Sequence, residues 1–402
     1  MKFLLTGSNF FNKGAQAMLF VAVSELRSRF PGCEILFRTN EPPQPGFAFR
    51  FFHDPDGWQF AKGGYPAVKT FAKALRRMLG GRTDAFPKIF RHVREIRSVN
   101  AFVDISGYAL SSQRGLERSL NYIAQIRVAK RFGIPYFVMP QSIGPFDYRD
   151  GGRMDRLLRR YLPYPVVIFP REEEGRALLQ DRYGLSNVRL SMDLVLQNKG
   201  IREDLVFTAP RHLPLPEIQC GGSVAIIPNM RNFGYKSRDQ MVAVYQAAIA
   251  RLRRHGRRVY LLRHSSEDLE ACRLVFDSLS DTSGVSVVED DLDCIQFNAT
   301  IAKFDYVIAS RFHSIVHSFK NSVPAIVLGW AVKYHDLLRL FGQERFMFDV
   351  RGDWKEEALL DAIDDLDAHW QRERALIASR LPECQKDNCF DAISAYFEGK
   401  QP

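Results

Sequence analysis

Phe304–Trp330 reads FDYVIASRFHSIVHSFKNSVPAIVLGW. Its first seven and last seven residues are short runs rich in β-branched and apolar side chains. Between them Ile315, Val316 and Phe319 fall at helical spacing. Strand, helix, strand is the repeating unit of a parallel sheet covered by helices on both faces. Arg311 and His313, one residue apart, stand where the first strand ends and the helix begins.

The alternation continues outward. SVAIIPN (223–229), RRVYLLRH (257–264) and VSVVED (285–290) read as further strands. Ser237–Arg254 reads as a helix capped by Ser237, with Met241, Val244, Ala248 and Leu252 on one face and a stop at Gly256. Beyond a Pro- and Gly-interrupted stretch, 200–222, the pattern recurs in KFLLT (2–6), CEILFRT (33–39), AFVDIS (101–106), PYFVMPQS (135–142), VVIFPRE (166–172) and VRLSMD (188–193). The predicted fold is therefore α/β, with two facing doubly wound, Rossmann-like domains over 1–205 and 222–354. A helical segment, 355–402, follows and is expected to return to the first domain. A chain of 402 residues exceeds what one core of ordinary size holds. Ligands of such sheets bind at the carboxyl ends of the strands.

Composition narrows the function. Hydrophobic residues make up 46% and charged residues 25%, the balance of a globular protein. No apolar run approaches the roughly 18 residues of a membrane span, and Phe3–Leu5 is too short for the apolar part of a signal peptide. A cytoplasmic location is expected. Cys33, Cys220, Cys272, Cys294, Cys384 and Cys389 are scattered and read as reduced thiols without a zinc pattern. The net charge of +10 suits an anionic partner. Ten Lys/Arg lie within 62–97 against Asp84 and Glu95, and Val68, Phe71, Ala72, Leu75, Met78 and Leu79 follow helical spacing there. This segment reads either as a helix on an anionic membrane surface or as a solvated helix packed on the first sheet.

Arg311, His313 and Ser310 at a helix start make a natural anion site, since free N–H groups and the helix dipole favour negative charge and a guanidinium pairs bidentately with carboxylate or phosphate. The plain alternative is an Arg311 paired with a structural carboxylate and a buried, satisfied His313. Arg231, after SVAIIPN, and Lys333, after PAIVLGW, are two further cations on the same wall. His317 follows His313 by four residues, but Ser314 stands where a zinc protease helix carries glutamate, and no metal is expected. In the first half, Asn12 and Gly14 lie between strand and helix, and Gln141 and Ser142 lie in PQSIGPF. Asp104, Asp193 and Glu173 are strand-end or helix-start carboxylates, each either a general base or a cap. Phosphate-loop, dinucleotide, G-x-S-x-G, kinase and RNA-module patterns are absent, so no nucleic-acid partner is expected.

Together NKGA (12–15), PQSIGPF (140–146), Arg171 with Asp193 downstream, PNMR ending at Arg231, SRFHS around Arg311 and His313, VPAIVL (323–328) and Lys333 resemble the polysaccharide pyruvyl transferase family. Ala15 replaces an acidic residue common there, Tyr108 stands in place of the second of two glycines, and Gly175 in place of serine. The resemblance implies a fold like that of B-type glycosyltransferases, with an acceptor domain first and a donor domain second. It implies transfer of pyruvate from phosphoenolpyruvate, with no cofactor, onto two hydroxyls of a polysaccharide or lipid-linked glycan as a ketal. In that reading Arg231, Arg311 and Lys333, with Ser310, bind the donor, and His313 is the general acid. Asn12, Gly14, Gln141 and Ser142 meet the acceptor, and Asp104 or Asp193 takes its proton. A lipid-linked acceptor would give the basic segment 62–97 a place at the inner face of the membrane. A nucleotide-sugar glycosyltransferase and a non-catalytic anion-binding relative are the alternatives.

Overall fold

The computed structural model describes residues 1–53, 93–150 and 152–401. The basic segment expected as a helix falls, up to residue 92, outside them. The described residues form two six-stranded sheets in which every pairing is parallel. The first contains β1 (Lys2–Thr6), β2 (Glu34–Thr39), β3 (Arg50–His53), β4 (Ala101–Asp104), β5 (Tyr136–Gln141) and β6 (Val167–Pro170), in the order β3-β2-β1-β4-β5-β6. The second contains β7 (Ser223–Ile227), β8 (Arg258–Leu262), β9 (Val285–Val288), β10 (Tyr306–Ala309), β11 (Ala325–Gly329) and β12 (Met347–Asp349), in the order β12-β11-β10-β7-β8-β9. Both have doubly wound topology, reversing between β1 and β4 and between β7 and β10, and such reversals open a crevice at the strand ends.

Every residue of β4, β5, β6, β7, β10 and β11 is buried, which is why these strands read as unbroken apolar runs rather than alternating ones. Burying each large aliphatic side chain contributes about 1.5–3 kcal/mol. The helix Arg238–Arg254 carries the expected cap: Ser237 accepts from Gln240 N, and the Gln240 side chain accepts from Ser237 N. Val188–Asp193 departs from expectation. Only Val188 pairs, in one isolated bridge to Ile168, and the chain then runs to Asp193, which caps the short helix Leu194–Gln197.

The halves close on one another through the helix Lys13–Arg29, which packs against the helices Cys294–Ile301 and Phe312–Lys320 in one shared apolar core. Polar ties seal its amino end: Lys13 Nζ pairs with Asp291 at 2.8 Å and Gln16 Oε1 accepts from Cys294 N at 2.8 Å. The last part of the chain joins both halves. Helix Glu356–Cys384 lies against Arg238–Arg254, and Asp367 accepts from Arg257 at 2.6 Å. Helix Asp391–Phe397 then rests on the first half, where the Phe397 ring meets Phe3 and Phe30 with centroids 6.0 and 5.8 Å away. No helix among the described residues is long and apolar enough to cross a membrane.

Candidate active site

The carboxyl ends of β4, β6, β10 and β11 bring side chains from both halves to one place. His313 lies in the first turn of helix Phe312–Lys320, and its Nε2 is 3.4 Å from Asp193 Oδ2 in the other half. Burial lowers the His313 pKa, with Asp193 pulling the opposite way. Asp193 accepts from Val195 N at 2.9 Å and from Arg171 Nη1 at 2.5 Å. Burial alone would raise its carboxyl, but His313 and Arg171 hold it well below the usual carboxylate range.

Gly14 supplies the opposite wall. A Cβ built there would lie 2.1 and 2.3 Å from Cγ and Nδ1 of the His313 ring, so the imidazole rests directly on helix backbone. Alanine suits a helix better by about 0.5–1 kcal/mol, yet only glycine leaves room for the ring.

Arg171, at the end of β6, also donates from Nη2 to Gly107 O and Ser142 Oγ, both at 2.8 Å, and its Cζ lies 4.7 Å from the Phe312 ring centroid. Ser142 in turn donates to Glu172 at 2.8 Å. On the same Phe312 ring, at 4.9 Å, sits Lys333 Nζ, which also lies 5.2 Å from the Tyr108 ring. Burial, reinforced by Arg171, Arg114 and Arg231 and opposed by Glu172, pushes Lys333 down to about 7. No carboxylate pairs with it among the described residues. An ammonium with three cations about it, one carboxylate acting from a distance and no direct ion pair has the electrostatics of an anion site.

The sequence-predicted residues divide three ways. His313, Asp193, Lys333, Gly14 and Ser142 come together, and exposed Arg231 bears electrostatically on Lys333. Arg311 does not join them. Its Nε donates to Asp268 Oδ2 at 2.9 Å, Nη2 to Oδ1 at 2.6 Å, and Nη2 also to Glu267. Asp268 is fully buried, holding Met230 N and Ser265 N, and a buried carboxylate demands a cation. The plain alternative weighed for Arg311 is therefore the observed one. Ser310 is likewise internal: its O accepts from Asn229 and Tyr334, and its Oγ lies 3.1 Å from Tyr245 OH. Asn12 caps its helix and bridges to Ser265 rather than opening toward a ligand.

Asp104 and Gln141 are fully buried in the first half. Asp104 accepts from Ser106 N at 3.0 Å, and burial raises its carboxyl. Among the described residues neither side chain bonds to His313, Asp193, Arg171 or Lys333, so this geometry lends no support to the expected acid-base role of Asp104 or acceptor contact of Gln141. The sequence reading gave no site role to Arg171, Glu172, Tyr108 or Phe312, all of which lie around Lys333. Arg171 entered only through the resemblance, although VVIFPRE already puts it at a strand's carboxyl end.

The family model for polysaccharide pyruvyl transferases matches residues 12–331, about four-fifths of the sequence. The chain belongs to that family. It is thus a transferase, and the match takes in Gly14, Arg171, Asp193, Arg231 and His313, ending two residues before Lys333. No curated protein matches the sequence. Solved structures resemble it in fold. The UDP-GlcNAc 2-epimerase from Neisseria meningitidis bound to UDP-GlcNAc superposes with a TM-score of 0.56 at 9% identity, over 99% of this chain and 100% of that one. A UGT transferase from Siraitia grosvenorii in complex with UDP gives 0.54 at 10% identity, over 99% of each. The epimerase from Methanocaldococcus jannaschii gives 0.52 at 9% identity, over 90% and 92%. At such identities the likeness is one of fold: this transferase has the B-type glycosyltransferase architecture.

Proposed function

We propose that this transferase moves the pyruvyl group of phosphoenolpyruvate onto two hydroxyls of a glycan, forming a cyclic ketal and releasing phosphate. One observation carries the reading: Lys333, without a carboxylate partner, lies beside Arg171 and the His313–Asp193 pair, with Arg231 near. The donor's phosphate bears about −1.5 to −2 charges and its carboxylate another, so several cations are needed to hold it.

Before the donor arrives, burial keeps His313 neutral more often than an exposed histidine. The donor's negative charge favours the imidazolium, so donor binding itself loads the proton. His313 then gives that proton to the methylene carbon, turning it into the methyl group and leaving C2 electrophilic. The first sugar hydroxyl adds to C2 and returns its proton to His313. The second displaces phosphate from C2, and its proton leaves on the phosphate. Asp193 keeps the imidazole oriented and favours its charged form, and Lys333 and Arg231 stabilise the departing phosphate.

The test is phosphate release from phosphoenolpyruvate across a panel of free and lipid-linked glycans, with UDP-sugars as competing donors. Phosphate release coupled to pyruvate on the glycan supports the reading. Sugar transfer from a UDP-sugar, without phosphate release from phosphoenolpyruvate, overturns it.

A further inference from the structure

Forming a ketal frees a proton from each of two hydroxyls. His313 recovers its proton when the first hydroxyl adds, and the second proton ends on the phosphate. Phosphate leaves badly as a trianion, so a base that collects this second proton and delivers it would speed the closing step. Most carboxylates near the chemistry are occupied. Asp193 accepts from Val195 N on Oδ1 and from Arg171 on Oδ2, and Glu267 and Asp268 are committed to Arg311.

Glu172 is different. It stands at the start of the helix Glu173–Ala177, yet its side chain makes no capping bond and turns to Ser142, whose Oγ donates to Oε1 at 2.8 Å. The same Ser142 Oγ accepts from Arg171 Nη2 at 2.8 Å, Arg171 Nη1 donates to Asp193 at 2.5 Å, and Asp193 faces His313 at 3.4 Å. An unbroken set of polar contacts therefore fixes Oε1 within the His313 site. The other oxygen, Oε2, accepts from no group among the described residues. Nor is it sealed from solvent, as the unpartnered Oδ2 of Asp104 is. Affinity does not explain this carboxylate. Arg171 already serves Asp193, and a negative charge acting on Lys333 opposes an incoming anion. A group that weakens donor binding and is nonetheless held in place fits a role in the step after binding.

Resting on the donor reading above, we infer that Glu172 is a second catalytic residue, the general base for the hydroxyl that closes the ketal. Its Oε2 takes the proton of that hydroxyl as the new C2–O bond forms. The C2–O bond to phosphate breaks with its electron pair leaving on the phosphate, and Glu172 then passes the proton to that phosphate. The carboxylate is restored, and the phosphate departs singly protonated.

The experiment uses the full chain with phosphoenolpyruvate and the glycan of the panel that supports phosphate release in the wild type. Glu172→Gln keeps an oxygen for Ser142 and removes the basic charge. Phosphate release should fall by about 10²-fold or more, while calorimetric affinity for phosphoenolpyruvate stays within about threefold or tightens. Run in D2O, the same variant should still place deuterium in the methylene group of recovered phosphoenolpyruvate, because proton transfer from His313 and addition of the first hydroxyl remain reversible. His313→Ala should lose both release and exchange. Glu172→Asp, which retains a carboxylate, should turn over at least about tenfold faster than Glu172→Gln, and thermal melting checks that each variant is folded. Wild-type phosphate release in Glu172→Gln, loss of exchange together with release there, or equal rates in the two Glu172 variants would each overturn the base and leave the donor reading standing. If the wild type gives neither release nor exchange with any glycan of the panel, the donor reading fails and the base falls with it.

Discussion

Arg311 and Lys333 follow adjacent strands, β10 and β11, and by position in the sequence they belong to one wall. Their surroundings are opposite. Arg311 is matched by Asp268 and Glu267, and its guanidinium completes a buried network that also holds the backbone of Met230 and Ser265. Lys333 faces aromatic rings and other cations, and burial with their repulsion takes it to about 7. A cation already matched by carboxylates holds the protein together, whereas one left unmatched holds charge in readiness for a ligand. The pair teaches that residue type and place on the strand do not decide function; the local balance of charge does.

The largest effect expected from this division falls on the proton donor beside the unmatched cations. His313→Ala should lower phosphate release by about 10²–10⁴-fold, with calorimetric affinity for phosphoenolpyruvate kept within threefold. A loss confined to binding would make His313 one more anion ligand and blur the comparison.

Next comes a crossed pair. Arg311→Ala leaves Asp268 buried without its cation and should cost about 3–5 kcal/mol of stability, seen as a lower melting temperature. Lys333→Gln should melt no lower than wild type, because a charge held at a cost is removed, while donor affinity falls by about 2–5 kcal/mol. Equal melting losses in both variants would erase the distinction.

The smallest of the substitution effects should sharpen the geometry. Gly14→Ala drives a methyl group into the His313 ring, and turnover should fall about tenfold or more as the imidazole leaves Asp193. Stability should change by no more than about 1 kcal/mol, the helix gaining what the displaced ring loses. The pH at half-maximal turnover should move down, since Asp193 no longer supports the charged imidazole. Unaltered turnover would contradict the close approach of ring and backbone.

Much of the fold was legible because parallel strands buried on both faces must be continuous apolar runs, as AFVD and YVIA are. The edge strands RFFH and MFD carried too few residues to stand out, and VRLSMD, though β-branched at Val188, ends in a helix cap that competes with strand pairing. At the site, His313, Asp193 and Lys333 could be read from residue type at strand and helix ends. The pairing of Arg311 with Asp268 could not be read in advance, because the two lie 43 residues apart and no local pattern announces it. That Asp104 and Gln141 lie fully buried was hidden for a related reason: strand ends flank a crevice, but which side a chain turns toward is set by tertiary packing.

The central claim, that unmatched cations around Lys333 receive a multiply charged donor, is tested most directly by titrating phosphoenolpyruvate into the protein between pH 7 and 9 in two buffers of different ionisation enthalpy. Lys333 stands at about 7 in the free protein, and a bound anion raises it. Above about 7 the donor phosphate is already dianionic, so binding should take up protons, and affinity should fall by up to about tenfold per pH unit for each proton taken up. His313, lowered by burial in the free protein, adds uptake in the same direction. Tight binding that takes up no protons and holds constant from pH 7 to 9, or no binding at all, would contradict the account.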